Sequence, residues 1–108
     1  MRSALLISKK PIYVEAPDFP LFKLGQVVAT PSAIDLLRSL ALNPLIFLAR
    51  HSMGDWGNID EHDRQANRDA LKNGSRLMSS YQVTRYDRLA IITAEDRSST
   101  TLLLPMEY

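Results

Sequence analysis

The chain has 108 residues, 45% hydrophobic and 23% charged, with a formal net charge of +1 and no cysteine. That length and composition fit one globular domain with a modest core, and the near-neutral balance leaves no whole-molecule field to steer it towards nucleic acid or an anionic membrane. The lack of cysteine excludes disulfides, thiol catalysis and thiolate metal sites, and fits a reducing cytoplasm.

Residues 1–23 read as an arm. Ala4–Ser8 and Ile12–Glu15 have the composition of short strands, but Pro11, Pro17 and Pro20 remove backbone donors and favour edge or irregular structure. The run Ala4–Ile7 is too short for a signal-peptide core, and the longest apolar stretch, Leu40–Ala49, is broken by Asn43-Pro44 and falls short of a membrane span. These features lead to the expectation of a cytoplasmic protein with no membrane partner.

A single α+β domain is expected over residues 24–108. Gln26–Ala29 is β-prone. Thr30-Pro31 then reads as a helix cap followed by proline at the first helical position. Ala33, Leu36, Leu37 and Leu40 recur at the spacing of a buried helix face. Asn43-Pro44 repeats the cap signature, so a second helix is expected from Leu45 to about Arg50, apolar on most sides and largely buried. Two adjacent short helices invite a helix-turn-helix reading, but Leu45-Ile46-Phe47-Leu48 offers almost nothing polar to base edges, and a packed helical hairpin is preferred.

Asp60 caps a third helix, with Glu61 and Asp63 in its first turn, Lys72 in its last, and Asn73-Gly74 as its stop. Its apolar stripe is narrow: Ala66, Ala70 and Leu71. Asp60 with Arg64, and Asp63 with Asn67, stand four apart and account for much of its polarity. The remainder reads as a three-stranded antiparallel meander. Arg76–Val83 alternates, with Leu77, Ser79, Tyr81 and Val83 on one face. Arg88–Thr93 and Ser99–Leu104 follow across turns at 84–87 and 94–98, and Pro105 ends the last strand. The runs Leu89–Ile92 and Leu102–Leu104 are apolar on both faces, so one face needs cover from the arm or from a second copy. The expected architecture is three short helices followed by this meander, with room for the N-terminal strands to extend it.

The segment Arg50–Asp60 concentrates the candidate chemistry. It holds the one tryptophan, Trp56, between Gly54 and Gly57, which suggests a shaped loop that either presents the indole or buries it. Trp56, Asp55 and Asn58 are therefore candidate binding residues, the alternative being a core anchor. His51, Asp55, Asp60 and His62 fall within twelve residues and are N/O ligand types for a divalent ion. Their spacing matches no metal motif, Asp60 is accounted for as a cap, and His51 suits the end of a helix, so no metal is assigned.

His51 with Asp55 is the candidate acid–base pair. No nucleophile accompanies it, because Ser52 and Ser98 lack an elbow context and Gly25, Gly54, Gly57 and Gly74 form no phosphate loop. No cofactor is implied. Arg97 among the hydroxyls of Ser98, Ser99, Thr100 and Thr101 is a candidate grip for an anion, against the plainer reading of a locally bonded turn. Arg85, Tyr86 and Arg88 make a basic-aromatic tip, although Asp87 and the neutral net charge argue against nucleic acid as the main ligand.

Several strings together carry a likeness: Leu24-Gly25-Gln26-Val27-Val28-Ala29-Thr30-Pro31, Leu48-Ala49-Arg50-His51 leading to Gly54-Asp55-Trp56-Gly57, Asp60–Asn67, Ile92–Thr101, and Leu103-Leu104-Pro105-Met106-Glu107-Tyr108. Over Leu24–Tyr108 the chain resembles a family of small plasmid-related proteins of bacterial plasmids and integrative elements. The resemblance implies a mobile-element accessory protein and supplies no catalytic residues. Three readings follow: a non-enzymatic module that binds a host or plasmid macromolecule, a protein more than nucleic acid, in counter-defence or regulation; a small hydrolase or metal-dependent enzyme around His51, Asp55 and Asp60; and a structural homodimer.

Overall fold

The computed structural model describes residues 2–7, 10–15 and 20–108. Strands β1 (Arg2–Ile7) and β2 (Lys10–Glu15) pair antiparallel as a separate two-stranded sheet, with Leu6 opposite Pro11. The expectations for Ser8 and Pro17 lie outside the described residues.

The main body is α+β. Strand β3 (Gln26–Ala29) is followed by helices α1 (Pro31–Ser39), α2 (Pro44–Ser52) and α3 (Glu61–Asn73), then by strands β4 (Leu77–Gln82), β5 (Arg88–Thr93) and β6 (Ser99–Leu103). The meander β4-β5-β6 is antiparallel as expected, but it forms three strands of a four-stranded mixed sheet in the order β3-β6-β5-β4. The fourth strand, β3, pairs parallel with β6, Val28 standing opposite Thr101. Three helices separate β3 from the meander, long enough a connection to bring it alongside β6 in the parallel sense.

The caps behave as the side-chain chemistry dictates. Thr30 Oγ1 accepts from Ala33 N, Asn43 Oδ1 from Leu45 N, and Asp60 Oδ1 from Asp63 N. Helix α1 ends with Leu42 N donating to Leu37 O and Ala41 N to Arg38 O, a Schellman arrangement that forces Ala41 to φ 53. Helix α3 ends on Gly74 in the left-handed region.

Two helix expectations need correction. In α2 only Phe47, Leu48, His51 and Ser52 are buried, while Leu45 and Ile46 are 65% and 57% exposed. A nine-residue helix lying on a sheet has one face to bury, whatever its composition. In α3, Ala66 and Leu71 are exposed, and the contact face is Asn67 and Ala70. Asn67 turns away from Asp63: its Nδ2 donates to Met78 O and its Oδ1 accepts from Met78 N. Arg64 likewise bypasses Asp60 and donates to the carbonyls of Ile59 and Gly57.

One core cluster joins Ala33, Leu37, Phe47 and Leu48 to Tyr81, Leu89, Ile91 and Leu102 of the sheet. A second joins Phe22, Trp56, Ala70 and Leu77, so the packing of the domain reaches back to residue 22. Among the described residues no single helix is long and apolar enough to cross a membrane. The pair α1 and α2 passes by composition only when joined across a 114° bend.

Candidate functional site

His51 occupies the seam between the two clusters and is fully buried, with the rings of Phe22 and Trp56 edge-on at 5.2 and 5.6 Å. Its Nδ1 bonds Ser79 Oγ and its Nε2 lies 2.9 Å from Thr93 Oγ1. Thr93 Oγ1 is 2.7 Å from Thr100 Oγ1, which donates to Leu24 O at 2.7 Å. Each hydroxyl has one proton, and Leu24 O can only accept. The direction on that side therefore follows: Thr93 donates to Thr100 and His51 Nε2–H donates to Thr93, and with the ring neutral Ser79 donates to Nδ1. The imidazole is neutral in the Nε2–H form, and burial pulls its pKa down to about 4. Such a ring ties α2 to β4, β5 and β6, and presents no free nitrogen to a substrate.

Asp55 lies on the surface instead. Its carboxylate takes Arg50 Nε at 2.7 Å and Nη2 at 3.3 Å, and accepts from Gly57 N. The Arg50 bond, with help from Gly57 N, holds its carboxyl below the usual carboxylate range. Its backbone carbonyl receives the Tyr81 hydroxyl at 2.7 Å, and burial raises the pKa of that phenol to about 12. The expected pairing of His51 with Asp55 is thus not formed. One is sealed in the core with both nitrogens committed, the other clamps the loop from outside.

Trp56 is 7% exposed and stacks on Phe22 with 6.1 Å between centroids. The loop that carries it buries the indole and stitches itself to the outer edge of β4. Ser80 N donates to Trp56 O, Asn58 N to Ser80 O, and Gln82 N to Asn58 Oδ1. Gly57 permits the approach, because a Cβ there would sit 2.3 Å from Ser80 O and 2.6 Å from the Tyr81 ring. The candidate contact residue Trp56 is a core anchor, and Asn58 is a strand-edge partner.

Arg97 does not grip an anion from its turn. Its guanidinium donates to the carbonyls of Ser75, Ala94 and Ala70, which closes the C-terminal end of α3. Of the four metal candidates, Asp60 and His62 do come together, joined by Asp63, with ligand atoms within 4.8 Å of one another. His51 and Asp55 take no part. Asp60 and His62 are exposed, and Asp60 already accepts from Asp63 N.

Among the described residues, a cleft and a groove are open to ligands. A shallow cleft of about 320 Å³ is lined by Gln82, Tyr86, Asp87, Arg88, Leu104, Pro105 and Met106. Tyr86 and Met106 are 84% and 86% exposed, yet both stand on firm supports. Thr84 and Asp87 close the β4–β5 turn on each other, and Glu107 Oε1 accepts from Leu104 N and from Thr30 Oγ1. Arg88 is braced on Gln82 Oε1 and Asn58 O. A second, more apolar groove of about 360 Å³ lies between β3, α1 and the start of α2, lined by Val27, Val28, Ala29, Ile34, Leu37, Leu45 and Leu48 with Arg38 at its rim.

The sequence alone does not single out Ser79, Thr93 and Thr100 as buried partners of His51 or of one another. The signal was there for Ser79, since it alternates with Leu77 and Tyr81 on the core face and a hydroxyl in that position needs a buried partner. No family model matches this chain, and neither does any curated protein or solved structure.

Proposed function

We propose that this chain is a non-enzymatic accessory protein of a bacterial mobile element, which acts in the cytoplasm by binding another protein through the Tyr86–Met106 cleft. The observation that carries the reading is the cleft itself: an exposed tyrosine, an exposed methionine and a braced arginine, the side-chain types enriched at protein contacts, held on hydrogen-bonded turns. Tyr108, 60% exposed, follows Met106 within two residues and adds to the same composition. Asp87 and Glu107 balance Arg85 and Arg88 along this stretch, so a protein surface suits it better than a phosphate backbone. The motivation for an accessory role in counter-defence or regulation is the resemblance carried by the Gly54-Asp55-Trp56-Gly57 and Leu103–Tyr108 strings.

The test is site-specific photocrosslinking in a bacterial host, with a benzoylphenylalanine at position 86 and, as control, at position 72 on α3. A single protein adduct formed from 86, absent from 72 and lost in a Met106→Ser background, supports the reading. No adduct at 86, an adduct that survives Met106→Ser, or one removed by nuclease overturns it.

A further inference from the structure

The two edges of the main sheet are treated differently by the rest of the chain. On the β4 side the outward backbone groups from Met78 to the amide of Gln82 have partners: Met78 bonds Asn67, Ser80 bonds Trp56 and Asn58, and Gln82 N bonds Asn58 Oδ1. On the β3 side, Gln26 N donates to Ser98 O and Thr30 N to Leu102 O, so residues 26, 28 and 30 face β6. Val27 and Ala29 then turn their N–H and C=O outward, and among the described residues nothing meets them. The strand carries no charge and no proline, the usual protections of a bare edge, and Val27 and Val28 are each 43% exposed.

We propose that this edge is covered by β3 of a second copy, joined antiparallel about a two-fold axis at Val28. The free groups are self-complementary in that register: Val27 pairs with the other copy's Ala29 and the reverse, which gives four backbone bonds with the two Val28 residues facing each other. The apolar groove beneath continues the contact through Ile34 and Leu45, 37% and 65% exposed, and through the half-buried Leu42 and Pro44. With Val27 and Val28 these side chains offer roughly 400 Å² per copy. Two copies and their strand backbones then bury on the order of 1,000 Å², where specific interfaces begin. This surface uses different residues from the Tyr86–Met106 cleft, so the two readings stand or fall separately.

The chain lacks cysteine, which makes the test clean. Residues opposed in a non-hydrogen-bonded antiparallel pair lie within disulfide reach, so oxidised Val28→Cys is expected to form a covalent dimer, while Lys72→Cys does not. Sedimentation equilibrium on the unmodified chain at micromolar concentration should give twice the chain mass, and Val28→Lys should weaken that association at least tenfold while its far-ultraviolet circular dichroism stays that of the folded chain. Amide exchange at Val27 and Ala29 should slow as concentration rises. A chain mass at all concentrations with fast exchange at both amides, or a dimer that Val28→Lys leaves intact, overturns the proposal.

Discussion

Asn67 of α3 bonds both backbone groups of Met78, its Nδ2 donating to the carbonyl at 2.8 Å and its Oδ1 accepting from the amide at 3.1 Å. One side-chain amide thus stands where a neighbouring strand would be, and Asn67 is itself buried at 3% exposure. Asn67→Ala leaves a donor and an acceptor of β4 without partners and is expected to cost about 2 kcal/mol in urea unfolding. Asn67→Asp keeps the acceptor alone and should recover only part of that loss. Equal stability of Asn67→Ala and the unsubstituted chain would show that the side chain carries no such role.

The neutral, buried His51 gives stability a defined pH dependence. Its folded pKa of about 4 lies below the ordinary 6.5, so between those values the unfolded chain binds a proton that the folded one refuses. The His51 contribution is therefore fully present above pH 6.5, falls progressively as pH drops, and is lost below about 4, a change of about 3 kcal/mol. Urea titrations at pH 7.5 and 4.5 should show most of that change. In a His51→Gln background the slope across that interval should flatten.

Trp56→Ala empties the stack between Phe22 and His51 and is expected to cost about 3–5 kcal/mol. The native fluorescence of this sole tryptophan should be blue-shifted and should move red on unfolding. A red native maximum, or a loss below about 1 kcal/mol, would place the indole in solvent.

Opposite effects are expected at two left-handed positions. Ala41 holds φ 53 at the end of α1, a conformation glycine adopts without steric cost, so Ala41→Gly should raise stability by about 0.5–1 kcal/mol. Gly57 has φ 74 with Ser80 O and Tyr81 packed against it, so Gly57→Ala should lower stability by about 3 kcal/mol and loosen the loop from β4. Thermal unfolding of the two variants side by side checks both signs.

Local signals located the helices, because capping depends on residues two or three apart. Thr30-Pro31, Asn43-Pro44 and Asp60 each cap the helix assigned to them, and Gly74 ends the third. The β4, β5 and β6 strands were legible from alternation and turns. Partnership across the sheet was not: the pairing of β3 with β6 spans some seventy residues, and no short-range pattern encodes it. The same limit governs the site. Polar residues four apart at α3 suggested Asp60–Arg64 and Asp63–Asn67, but backbone groups at Gly57, Ile59 and Met78 competed for those side chains and won. His51 and Asp55, four residues apart on a helix and its following loop, point to opposite environments because one turn of backbone separates the core seam from solvent.

The sealing of β4 by the Trp56 loop and Asn67 also limits how the main sheet can be extended. A sheet with one finished side and one open side can take on a neighbour only once. If that neighbour is another copy joined open side to open side, both outer margins of the paired main sheet are finished, and that sheet keeps no open edge for a third copy. The loop that hides the tryptophan is, in this sense, what separates a closed assembly from an endless one.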